Sequence, residues 1–211
     1  MLSLVSMASK AVGLHEYIKR EKGAEDPLAN TRFAQGDVVT TIIRCAGGET
    51  ITLTLDTTLP RPYSRGFIVS GTKGCYEEDN NSLYLDCDKD KYEGGEFQWK
   101  KNWNNAEAYG KTYDHPLWQG FEMDEATKEA SHGGMDYLLF RAFFESASAK
   151  VDTPIDVYDT ASWMCISALS EESVAMGGMP VPIPDFTRGK WIKMRPQKLI
   201  EKYRLDKIPE V

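Results

Sequence analysis

An α+β domain, built on an open, mostly antiparallel or mixed β-sheet with helices packed on one face, is the fold class this sequence predicts. Three observations predict it. A period-two apolar pattern flanks a short Gly turn at residues 37–57, as in an antiparallel hairpin. Strand patterns come first and the two longest helical patterns follow, without the alternation of a parallel α/β fold. Finally, no two of the 17 glycines stand at i, i+2, so the chain carries no dinucleotide fingerprint and no Rossmann domain is expected.

Residues 2–7 (LSLVSM) read as a short strand. A helix is predicted from about Ser9 to Lys22, with Ser9 as its cap and Gly23 as its stop. The stretch AEDPLANTRFAQG is a loop by its Pro, Asn and Gly content. In the hairpin, Asp37–Cys45 and Glu49–Thr57 flank AGG; Ile51, Leu53 and Leu55 fall on one side and Thr50, Thr52 and Thr54 on the other, so one face is expected to be buried. Beyond the Pro-rich link LPRPYSR, Gly66–Ser70, the turn GTKG and Ser82–Asp86 continue a meander. Residues 87–131 lose periodicity and gather Gly, Asn, Lys and aromatics, the signature of a long functional or poorly ordered loop. Two helices come next. From Gly134 to about Lys150 the stripe Met135, Leu138, Leu139, Ala142, Phe143 marks a face expected to be buried; from Val157 to Met176 a second helix carries Ala161, Met164, Ala168 and Leu169 and stops at Gly177–Gly178.

Composition bounds the partners. The 211 residues are 41% hydrophobic and 27% charged, enough for a sizeable core, and the net charge of −7 argues against a nucleic-acid-binding domain. No apolar run is long enough to span a membrane. Four cysteines without a CxxC pair and three scattered histidines allow neither a disulfide scaffold nor a zinc pattern, so no metal site is expected. The segment 188–207 holds eight Lys/Arg against two acids, a net of +6 that leaves −13 for the rest. It reads as a solvated tail or last helix, or as a docking strip for an acidic surface. Residues 1–187 are taken as the α+β domain and 188–211 as a basic C-terminal extension.

Two segments are candidates for chemistry. In Thr57–Arg65 (TTLPRPYSR), Pro60 and Pro62 fix their φ angles, so a stiff link presents Arg61, Tyr63 and Arg65 at the end of the hairpin. An aromatic face and guanidinium donors suit a sugar. The alternative is a rim where Tyr63 packs and both arginines are wet. In Ser131–Asp136 (SHGGMD), His132 and two glycines put an imidazole and free N–H groups at a helix N-terminus, with Asp136 one turn in. That arrangement suits an oxyanion or a sugar hydroxyl; alternatively the glycines only let the helix approach the sheet. The aromatics of 97–118, with Asp114 and His115, suit either carbohydrate stacking or anchorage of the loop. The acids Glu77, Glu78, Asp79, Asp86, Asp88 and Asp90 lack the Gly and terminal Glu of an EF-hand and read as a solvated face. No GxSxG elbow surrounds Ser6, Ser64 or Ser167.

Taken in order, GDVVTTIIRCAGGETITLTLDTTLPRPYSRGF, GTKGCYEEDN, YDHPLW, SHGGMDYLLFRAFFES and PIDVYDTASWMCISALSEESVAMGGMPVPIPDF resemble the C-terminal domain of the Gfo/Idh/MocA oxidoreductase superfamily. Within it they are most similar to glycoside hydrolase family 109, the NAD-dependent α-N-acetylgalactosaminidases. TLPRPYSRG, GTKG and DHPLW narrow the resemblance to that branch, over roughly Leu4 to Phe186.

The resemblance implies a two-domain enzyme: an N-terminal Rossmann domain holding NAD, and a C-terminal sheet domain that walls the substrate site and mediates homo-oligomerisation through the sheet. This chain is then expected to be the C-terminal part of a longer enzyme and inactive alone, with its NAD on the absent domain. The implied reaction hydrolyses terminal α-linked N-acetylgalactosamine by oxidation at C3, elimination, water addition and reduction. Tyr63 matches the family's substrate-contacting tyrosine; Arg61, Arg65 and His132 are implied as substrate-binding residues lining the pocket. The catalytic base and NAD ligands are expected upstream, and the family suggests an exported bacterial enzyme. A sugar dehydrogenase domain and a non-catalytic oligomerisation or sugar-binding module are the alternatives.

Overall fold

A strand whose alternate residues are Leu4 and Ser6 on one side and Val5 and Met7 on the other organises the first half of the computed structural model, which describes residues 1–86, 102–115, 117, 118, 123–193 and 196–204. The described chain is α+β, its two sheets antiparallel throughout. It divides into two units, Met1–Arg61 with Ile155–Pro196, and Pro62–Pro154 with Gln197–Val211.

In the first unit, β1 (Ser3–Ala8) is followed by helix α1 (Gly13–Lys22), then by the hairpin β2 (Val38–Arg44) and β3 (Thr50–Asp56). The hairpin pairs in register from Val38 opposite Asp56 to Arg44 opposite Thr50. The short β7 (Val181–Pro182) returns to the other edge of β1, giving the order β3-β2-β1-β7. Helix α5 (Val157–Ala175) packs on β1. Leu4, Ile43, Val181 and Ile183 form the core between them, with Cys165, Ile166 and Leu169 of α5 against it. The opposite sheet face is open, and Met7 on it is 69% exposed.

The helix-facing seam is partly polar and fully bonded. Ser173 Oγ accepts the Ser6 N–H (2.9 Å) and donates to the Met179 carbonyl (2.7 Å). Thr41 Oγ1 lies 2.7 Å from Ser6 Oγ and 3.1 Å from Ser170 Oγ. Small hydroxyls let the helix approach closely without orphaning the buried polar groups. Of the residues named on α5 from the sequence, Leu169 turns inward with Ser162, Cys165, Ile166 and Ser173, whereas Met164 is 73% exposed. The helix starts with a capping box between Asp156 and Asp159 and, as expected, ends at the left-handed Gly177 and Gly178.

Two other expectations are corrected here. Ser9 does not cap α1. Its helix begins four residues later, and the Asp37 carboxylate, from the loop before β2, takes the N–H groups of Val12 (2.9 Å) and Gly13 (2.9 and 3.0 Å). The apolar side of β3 is not buried either. Ile51, Leu53 and Leu55 share the face of Ile43, but α5 covers β1, and all three stay exposed.

In the second unit, β4 (Ile68–Gly71), β5 (Gly74–Glu77) and β6 (Ser82–Leu85) form a meander. Gly74 passes so close to β6 that a Cβ would lie 2.4 Å from the Tyr84 carbonyl oxygen. The amide of Asn105 acts as a strand on the edge of β6, accepting from Leu83 N (2.7 Å) and donating to Leu83 O (2.8 Å). Inside the stretch read as loop stand α2 (Glu107–Tyr113) and α3 (Glu125–Ala130), both too polar to show an apolar period. Trp99, Asp88 and Asp90 lie outside the described residues.

Helix α4 (Met135–Ala149) buries Leu138 and Ser146, while Met135, Leu139, Phe140, Phe143 and Phe144 are exposed, against the expected burial of its stripe. Periodicity identifies an apolar face; burial also needs a second surface, which the described residues do not place there. The basic segment is not simply solvated: Tyr203 is 1% exposed, and residues 197–204 attach to this unit's own side chains.

Candidate functional site

The stiff link after β3 is anchored on both sides of its aromatic residue. At its start, Thr58 Oγ1 donates to Asp37 Oδ1 (3.0 Å), so the carboxylate that caps α1 also fixes the turn out of β3. These donors hold the Asp37 carboxyl below its ordinary range, the Val12 N–H contributing most. Arg61 folds back on the strand it leaves: its Nε and Nη2 donate to the Asp56 carbonyl at 3.1 and 2.9 Å, with Asp56 Oδ2 at 3.6 Å.

Beyond Pro62 the anchors belong to the second unit. Ser64 Oγ accepts from Gly66 N (2.7 Å) and hydrogen-bonds the Asp79 carboxylate. Arg65 donates through Nε (2.9 Å) and Nη2 to Glu78 Oε1, and this hydrogen bonding raises its already high pKa. Between these anchors Tyr63 is 90% exposed. The reading in which Tyr63 packs into a rim is thereby set aside. A phenol ring is presented to solvent on a backbone stiffened by proline, beside a guanidinium that is permanently cationic.

His132 is placed by strain and by a carboxylate. It and the next two residues all have positive φ (47°, 71° and 99°), an unusual geometry for a residue with a side chain. Its Nδ1 lies 2.6 Å from Asp136 Oδ2, in the first turn of α4. Held through Nδ1, the ring turns Nε2 away from its carboxylate partner, free to donate to or accept from a hydroxyl.

Of the four residues singled out from the sequence, Arg61 lies in the first unit and Tyr63, Arg65 and His132 in the second. Neither Arg65 nor His132 bonds to another of the four; each is oriented by its own carboxylate. Asp136 was named with His132 from the sequence; Glu78 as the partner of Arg65, and Asp37 beside the first turn of α1, are what sequence reasoning missed. Only Asp136 gave a signal, by its i+4 spacing from His132. The acidic run also acquires specific partners: Glu77 accepts from Asn80, Glu78 from Arg65 and Asp79 from Ser64. His115 anchors rather than stacks, its Nε2 2.7 Å from the Arg204 carbonyl and its Nδ1 accepting from Leu117 N. Among the described residues no group of three His, Cys, Asp or Glu side chains is arranged to hold a metal ion.

Residues 1–193 match the family profile described as glycosyl hydrolase 109, C-terminal domain. A Tannerella forsythia protein named alpha-N-acetylgalactosaminidase is 44% identical over 195 residues, 92% of this chain and 39% of the relative. Glycosyl hydrolase family 109 proteins of Parabacteroides distasonis and Stenotrophomonas maltophilia are 42% and 40% identical, over 93% and 90% of this chain and 40% of each relative. The chain thus spans about two fifths of the length of the curated relatives it matches.

Proposed function

This chain belongs to the glycosyl hydrolase 109 family, and we propose that it is the sugar-facing part of an enzyme that removes terminal α-linked N-acetylgalactosamine. The observation that carries this reading is the 44% identity, across nearly the whole chain, to a relative named for that activity. The exposed Tyr63 supports it. Its ring offers a flat face to sugar C–H groups and its hydroxyl a hydrogen bond, while Arg65 and His132 supply polar groups in the same unit.

The reading requires NAD, whose chemistry is hydride transfer to and from the sugar ring. With no GxG spacing, this chain has no loop fitted to a dinucleotide pyrophosphate, so the cofactor is assigned to sequence outside it. It follows that the chain alone does not turn over. What its own residues do is bind and orient the sugar. Homo-oligomerisation through the open sheet face belongs to the same reading.

The test is a chimaera: the Tannerella forsythia relative with its matching two fifths replaced by this chain. The folded chimaera is expected to cleave an aryl α-N-acetylgalactosaminide without net NADH formation, and Tyr63→Phe to lower kcat/KM by about 1–3 kcal/mol in transition-state terms. Net NADH without cleavage would replace the glycosidase by a sugar dehydrogenase. Wild-type kinetics in the Phe variant would remove Tyr63 from the site.

A further inference from the structure

We infer that residues 197–204 form a clasp, keyed on the single carboxylate of Glu145, that closes over α4 and keeps it in place. Two elements converge on that carboxylate. From the C-terminal segment, Tyr203 Oη donates to Oε2 at 2.8 Å and Lys202 Nζ lies 2.6 Å from the same oxygen; from α4 itself, Arg141 Nε donates to Oε1 at 2.8 Å. Lys202 also lies 4.9 Å from the centre of the Tyr203 ring, so the cation, the ring and the carboxylate hold one another.

Two further attachments flank the key. On one side, Asp152 N donates to the Lys198 carbonyl (2.9 Å) and Lys198 N to Asp152 Oδ2 (3.0 Å), just past the end of α4. On the other, His115 Nε2 lies 2.7 Å from the Arg204 carbonyl. The segment is therefore tied at residue 198, at 202–203 and at 204, and it buries a tyrosine between ties. It lies beyond residue 193, where the match to the family profile ends.

One carboxylate serving three donors makes the closure cooperative. Loss of its charge leaves Lys202 and Arg141 without their counter-ion and the buried Tyr203 hydroxyl with a weaker, uncharged acceptor. The segment then has two states, closed on Glu145 and released from it.

Trypsin reads the difference, because cleavage of a transiently opened site tracks the population of the open form. In the 211-residue chain, Glu145→Gln is expected to accelerate cleavage after Lys202 and Arg204 roughly tenfold or more, with cleavage after Lys22 in α1 unchanged. Hydrogen exchange in the last two turns of α4 should rise in step. A chain ending at Pro196 should show the same raised exchange, and Glu145→Gln should add nothing to it; Tyr203→Phe should give a smaller rise. Cleavage after Lys202 as fast in the wild type as in Glu145→Gln overturns the clasp. An equal effect of Glu145→Gln on α4 in the shortened chain overturns it too, since Glu145 would then act within the helix alone. None of these readouts depends on glycosidase activity.

Discussion

Asp37 and Glu145 are the two carboxylates on which most of the local order turns, and both are held ionised by donors rather than by distance from other acids. Asp37 receives the first N–H groups of α1 and the Thr58 hydroxyl. Glu145 receives Lys202, Arg141 and Tyr203, which bring its pKa down from 4.5 to about 2. In the unfolded chain both carboxyls regain ordinary values, so between those values and the folded ones the unfolded state binds more protons. The stability Glu145 contributes is present above pH 4.5 and is lost as pH falls toward about 2, and that of Asp37 is likewise lost on acidification. Amide exchange followed from pH 5 to pH 2 should show α4 loosening across that window. Glu145→Gln should flatten the α4 response while leaving the response of α1, governed by Asp37, as it was. An unchanged α4 profile in the variant would mean that other carboxyls control the acid response.

At the scale of elements, one substitution made in two helices should have opposite signs. Ser173 of α5 and Ser146 of α4 are both fully buried. Ser173 Oγ satisfies a strand N–H and a loop carbonyl, whereas Ser146 Oγ has no hydrogen-bond partner. Ser173→Ala leaves the Ser6 N–H and the Met179 carbonyl unpaired and should destabilise by about 1–3 kcal/mol. Ser146→Ala removes an orphan hydroxyl, gains helix propensity, and should be neutral or stabilising by about 0.5–1 kcal/mol. Denaturant midpoints decide it; two losses of similar size would show that Ser146 is bonded after all. Neither role was legible in the sequence, where nothing local distinguishes the two serines. The hairpin was legible because β3 alternates strictly after a short Gly turn, and the C-terminal end of α5 because Gly177 is a local signal. Asp37 was not, because it caps a helix that begins 24 residues earlier. Strand β5 was missed because four residues, GCYE, carry no period, and the burial of Tyr203 because its neighbours Lys202 and Arg204 mark the segment as basic. Of the candidate site, the residue types and the Asp136 partner of His132 could be read in advance, but the pairing of Arg65 with Glu78, 13 residues away, emerges only when the chain is folded.

At the scale of the whole molecule, two kinds of surface compete to drive association. One is apolar: Met7 and Ile42 on the open sheet face, Leu139, Phe140, Phe143 and Phe144 on α4, and Met164 on α5 are all exposed. Exposed apolar area of this extent marks surfaces that seek a partner. The other is electrostatic, since residues 188–207 carry a net +6 against −13 on the remainder. Part of that positive charge is already used internally, because Lys202 is bound to Glu145. The apolar surfaces are therefore expected to dominate. Sedimentation over a hundredfold concentration range should show association that survives high salt and strengthens in sulfate, as apolar burial does, whereas pairing of exposed charges is screened. Met7→Lys should weaken it if the sheet face is the contact, and Phe144→Lys if α4 is. A chain that stays monomeric across the range would mean that these surfaces are covered in ways the described residues do not show, and association that dissolves in salt would return the leading role to the basic segment.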